Sequence, residues 1–186
     1  MRLAMLAFPR AEAYRPRMAR TEIEVVARML DQAYRTDPFS ALRKNLASVT
    51  PEEWDVRPAE YSVDEFGTEP ELSICDIALH TGAKYMYYDR AFGEMKIEWG
   101  DIAPPPSRSM DDVLAWLDEA HRLMMEGLAS LDDDARLLDE RQAPWRTPMK
   151  RGSLIALISN HDLYHSGEVN RQRALIRGAS GWNRSM

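Results

Sequence analysis

From Leu114 to Leu131 apolar positions recur in alternating steps of three and four: Leu114, Leu117, His121, Met124, Leu128, Leu131. That spacing keeps one stripe on one side of a 3.6-residue helix, and it cannot serve a strand, whose faces alternate at every residue. The same period runs through three other long segments. Ile23, Val26, Leu30 and Tyr34 lead on to Leu42 and Leu46; a second stretch runs from about Glu71 to Phe92 and ends at Gly93; a fourth runs from about Ser153 to Arg177 and stops at Gly178. Pro38 interrupts the first segment, because proline lacks the backbone donor and clashes with the preceding turn. This predicts two helices there, or one sharp kink. Thr50, Pro51 and Glu53 have the cap, first-turn and capping-box chemistry of a short extra helical turn, and Ser109 with Asp111 and Asp112 suits the start of the third long helix. No two-residue alternation competes, and the stretch through Pro144 and Pro148 is expected to be a loop. Four long amphipathic helices joined by short or moderate connections predict an all-α antiparallel four-helix bundle.

A chain of 186 residues with 45% hydrophobic content can bury one substantial core, so residues 1–186 are expected to form a single domain. Its first twenty residues, where Arg10, Arg15, Arg17 and Arg20 follow a short apolar patch, are read as an N-terminal arm. A net charge of -6 gives no basic footprint for nucleic acid. No apolar run reaches the roughly 18 residues of a membrane span. The single cysteine, Cys75, excludes an internal disulfide and fits a reducing, cytoplasmic setting. It lies in an apolar helical run, which suits a buried thiol rather than a nucleophile.

Chemistry concentrates in the fourth helix, in the run NHDLYHSGEVN. The seam there reads Leu154, Ile158, His161, His165, Glu168, Gln172, Leu175, so two histidines stand where aliphatic residues would serve burial alone. Residues four apart are about 40° apart around the axis and about 6 Å apart along it, so both imidazoles can reach one ion with bonds of about 2.0–2.1 Å. Two histidines bonded to neighbours or water would show the same spacing. A third ligand would distinguish the two cases, and His80 offers one. It lies near the middle of the second helix on a stripe read as inward, Ile77, His80, Lys84, Tyr87, Ala91. Glu168 and Asp76, each one turn from a histidine, can orient an imidazole from behind or lie ion-paired elsewhere. His121 has no second ligand-type residue beside it and reads as a core histidine. Tyr85, Tyr87, Tyr88 and Phe92 fit either a packed core face or the wall of a ligand pocket.

From about Met29 to Gly178 the chain resembles the DinB-like superfamily, also grouped with YfiT-type hydrolases. The resemblance rests on LDQAYRTDPFSALRKNLASVTPEEWDVRP, LSICDIALHTGAKYMYYDRAFG, DDVLAWLDEAHR and NHDLYHSGEVNRQRALIRG. The last is the most specific, a histidine pair followed by Gly-Glu. The resemblance implies an up-down-down-up bundle, usually a homodimer, with a divalent metal (zinc or nickel) on His80, His161 and His165. It implies a small-molecule substrate and chemistry of a thiol-dependent transferase, isomerase or hydrolase; relatives use mycothiol, bacillithiol or glutathione. In that frame Glu168 and Tyr87 are candidate catalytic groups, Asp76 and Gln172 supports behind the ligands, and a low-molecular-weight thiol a candidate cofactor. The alternative is a non-catalytic, metal-binding or stress-associated bundle. One departure stands out: related sequences often carry Trp-His where this chain has Phe39-Ser40, which removes any activity that depends on that extra histidine.

Overall fold

The computed structural model describes residues 20–58 and 72–178, and these are mostly helical. The expected N-terminal arm and the expected start of the second helix at Glu71 lie outside the described residues. Helix α1 spans Thr21–Asp31, with Glu22 and Glu24 in its first turn, and continues as a π-type turn over Gln32–Thr36. The break comes at Pro38, as the sequence predicts. There the Asp37 carboxylate accepts from the Phe39 and Ser40 amides at 2.9 and 2.7 Å, closing the turn that leads into α2, Leu42–Ala47. The short turn α3, Pro51–Trp54, has its capping box, with Thr50 N donating to Glu53 Oε2 at 2.9 Å.

The expected second helix is two: α4, Ile74–Thr81, and α5, Lys84–Phe92. Between them the ladder tightens to three-residue steps, Gly82 N to Leu79 O and Ala83 N to His80 O, both 3.0 Å. The Trp116 indole presses on this point: a Cβ on Gly82 would lie 1.8 Å from the ring. Each residue of such a tightened turn advances about 120° rather than about 100°. His80 and Lys84, predicted on one stripe, are therefore turned apart. His80 is exposed, and Lys84 is fully buried.

Helix α6 spans Met110–Ala129, and its Ser109 cap accepts from Asp112 N at 3.2 Å. The segment read as a loop through Pro144 and Pro148 holds an antiparallel hairpin instead, β1 Glu140–Gln142 on β2 Pro148–Lys150, with Arg141 opposite Met149. Strands of three residues are too short to display a period of two. Helix α7 follows at once, Arg151–Arg177, and ends on Gly178 in the left-handed region at φ 62°, a conformation glycine adopts without penalty.

Helices α1 and α2 pack on both α6 and α7, and so do α4 and α5. Two apolar clusters result. One gathers Tyr34, Leu42, Leu46, Ile74, Ile77, Val113, Leu117 and Val169; the other gathers Ile23, Leu30, Ala91, Met124, Leu128, Ile155 and Ile158. Along each long helix, polar residues fall between the stretches that feed the two clusters: Lys84 on α5, His121 on α6, Asp162 and His165 on α7. The α7 seam is shifted from its predicted course. Its buried line runs Ile158, Asp162, Ser166, Val169, while His161 and Glu168 are half-buried on its flank. Cys75 is buried, its thiol pushed up to about 11 chiefly by burial, as suits a core residue. Among the described residues, no helix is long and apolar enough to cross a membrane.

Candidate metal centre

His161 and His165 project from one side of α7 because four residues on a helix return nearly to the same direction. His80 comes from the last turn of α4, held there by the Ser73 cap, whose hydroxyl accepts from Asp76 N at 3.1 Å. The three rings meet through their Nε2 atoms. His161 Nε2 lies 3.2 Å from His80 Nε2 and 3.1 Å from His165 Nε2, and one ligand atom from each lies within 4.8 Å of the other two. Bonds of about 2.0–2.1 Å at tetrahedral or octahedral angles set ligand nitrogens about 2.9–3.4 Å apart, which matches both short contacts.

The hydrogen bonds and burial of these rings suit a cation at their meeting point. His165 Nδ1 lies 2.5 Å from Glu168 Oε2, so that nitrogen donates to the carboxylate. With Nδ1 taken by that carboxylate, His165 turns Nε2 toward His161. Burial first, and then the neighbouring His165, His80 and Lys84, push His161 down to about 3, so it is neutral at pH 7. Burial and the nearby His165 also lower His80. A neutral His161 Nε2 can donate or accept, but not both, so it cannot satisfy two facing nitrogens at once. One cation accepting all three lone pairs removes the conflict. Although burial opposes its ionisation, Glu168 is held below the usual carboxylate range by His165 and by the Tyr164 hydroxyl.

Of the other residues singled out from the sequence, Asp76, Tyr87 and His121 lie elsewhere. Asp76 caps α4: it accepts from Ser73 N at 3.0 Å and from Arg57 and Arg108 at 2.7 and 3.0 Å, so its carboxylate is occupied away from the histidines. Tyr87 packs against the cluster of Ile23, Leu30 and Ile158, its hydroxyl pushed up by burial. Gln172 is buried on α7, one turn beyond Glu168. His121 stacks on Tyr34 at 4.5 Å and sets Nε2 3.1 Å from Asp31, outside the triad.

Sequence reasoning missed two parts of this region. The first is an ion pair between Lys84 Nζ and Asp162 Oδ2 at 2.8 Å, with both side chains at 0% exposure. Burial pushes Lys84 down and Asp162 up, against their mutual attraction. The Lys84 ammonium also sits 3.8 Å from the Tyr34 ring centroid, and Tyr34 donates to Asp118 at 2.8 Å. The pair ties α5 to α7 beside the triad. Its signal in the sequence was Asp162 four residues after Ile158 on the seam. The second part is aromatic: Trp99 lies 5.4 Å from His80 and Tyr164 lies 4.9 Å from His165, ring to ring. Trp99 falls in a Gly- and Pro-rich connection without periodicity, so nothing marked it.

The DinB superfamily family model matches residues 21–169, and the chain belongs to that superfamily. No curated protein matches the chain.

Proposed function

We propose that this DinB-superfamily chain holds one divalent cation, zinc or nickel, on His80, His161 and His165 and acts as a metal-dependent enzyme on a thiol or on water. The observation behind this reading is the meeting of three Nε2 atoms at the spacing of ligands to one ion. A bound divalent cation would supply Lewis acidity, lowering the pKa of a thiol or water in an open position. The chain's own residues prepare the ligands. Glu168 fixes His165 with Nδ1 protonated, and burial keeps His161 uncharged with its lone pair available. With Tyr164 at its carboxylate, Glu168 is the group placed to take or return a proton beside the site.

His80 is exposed, which supports an open catalytic position over a closed structural one. The order in which each helix meets the two apolar clusters supports the up-down-down-up bundle, since α1 and α7 run from the Ile23 cluster to the Tyr34 cluster while α4–α5 and α6 run the other way. The homodimer and the cytoplasmic setting belong to the same reading.

The test is elemental analysis of protein purified without an affinity tag, followed by calorimetry with low-molecular-weight thiols. About one equivalent of zinc or nickel, lost in His80→Ala and in His161→Ala, is the expected result. Protein that stays metal-free after reconstitution with either ion would sink the proposal. Stoichiometric metal without thiol binding, together with a fold that melts on chelation, would instead favour the non-catalytic alternative.

A further inference from the structure

The loop after α5 is built with far more care than a surface connection needs. The Asp89 carboxylate takes the amides of Glu94, Lys96 and Ile97 at 3.0, 2.6 and 2.8 Å. Its neighbour Arg90, 1% exposed, grips the carbonyls of Met95 and Ile97 and the Glu98 carboxylate. From the hairpin, Arg141 bonds the Arg90 and Gly93 carbonyls. A buried arginine and a three-amide carboxylate thus fix the backbone up to Glu98, and the next residue is Trp99. Yet Trp99 is not packed away: it is 49% exposed, beside His80. On α7, Tyr164 is 64% exposed with its ring edge-on to His165, and its hydroxyl is engaged with Glu168.

A rigid backbone that presents an exposed indole does no work for the core. It is what a recognition surface requires, because a preorganised aromatic loses little entropy on binding. Both rings touch ligand histidines, so a molecule bound at the centre must lie against them. Their faces suit flat apolar or aromatic groups. A cation, which would also suit such faces, is disfavoured next to a bound dication whose charge the single Glu168 carboxylate only half offsets. That same net positive charge favours an anionic head.

We infer that Trp99 and Tyr164 are substrate-recognition walls, and that the site takes small molecules joining an anionic metal-binding head to a planar aromatic group. This rests on the metal-site reading above. The test uses Co(II)-loaded full-length protein and two probes with the same head, benzohydroxamate and acetohydroxamate, followed through the visible Co(II) bands and tryptophan fluorescence. Benzohydroxamate is expected to bind about ten-fold tighter or better. Trp99→Ala should shrink that ratio with acetohydroxamate affinity and the Co(II) bands unchanged. Tyr164→Ala, which also removes a partner of Glu168, should shrink it too. Tyr164→Phe should keep the ratio, and the double alanine variant should abolish it. Equal affinities in the parent protein, or a ratio untouched by the double variant, would overturn the inference while leaving the metal reading intact. Absence of Co(II) bands would overturn both.

Discussion

His121 on α6 and His161 on α7 both lie between the two apolar clusters and are both neutral at pH 7, yet their surroundings differ in kind. His121 is answered by protein: Asp31 lies at Nε2 and the Tyr34 ring against its face, and burial pushes it down to about 4 in spite of the carboxylate. His161 meets only other imidazoles at Nε2. A buried polar group with a carboxylate partner contributes to the core's own order, whereas one whose partners share its need is left for a ligand. Lys84 and Asp162 extend the contrast, since they neutralise each other at the same level with no vacancy between them.

The contrast breaks most readily at that pair. Lys84→Met or Asp162→Leu alone strands a buried charge and is expected to cost about 3–5 kcal/mol in urea unfolding, whereas the double variant should recover most of it. If the single and double variants lose stability equally, the pair is not the self-contained unit described. Next in size, His161→Ala should reduce bound zinc or nickel from about one equivalent to traces by elemental analysis, while His121→Gln keeps the full equivalent. Metal loss in His121→Gln would merge the two classes of histidine.

How much of this was legible in the sequence divides along the same line. Local signals held: the Thr50–Glu53 box, the Ser109 cap, the Pro38 break and the Gly178 stop each depend on residues within one turn of one another. The α7 histidine pair was also readable, because helical spacing is a local fact, whereas His80 joined it through the family resemblance, its predicted inward stripe being broken at Gly82. The tightened turn at Gly82 was not, since its cause is Trp116, far along the chain on α6. Nor was the Lys84–Asp162 pair: Lys84 stood on the stripe read as inward and Asp162 four residues after Ile158, but neither charge names its partner until α5 and α7 are packed together. Trp99 escaped for a third reason. Its position is fixed by side-chain bonds to loop backbone, which leave no period behind.

Acid sharpens the comparison further. Unfolded, His121 protonates as pH falls through about 6.5; folded, it resists until about 4. Stability is therefore level above about 6.5 and is lost as pH falls toward 4, with up to about 3 kcal/mol attributable to this one ring. The difference between parent and His121→Gln unfolding curves across that window should show it, and curves that stay parallel would refute it. The smallest effect expected is for Glu168→Gln, which keeps a weaker acceptor at His165 Nδ1. Metal affinity should fall about 10–100-fold by chelator competition, with the stoichiometry unchanged.

Two of the three imidazoles are four residues apart on α7, and the third is 81 residues away from His161. In polymer terms these are different kinds of ligand. The α7 pair can meet an ion whenever a single turn of that helix forms, even in a largely unfolded chain. His80 can join only by closing a loop of that length, and closure entropy grows with the logarithm of the loop. The affinity that His80 adds is therefore available to the folded chain alone, and by linkage it returns as folding stability that rises with free ion concentration.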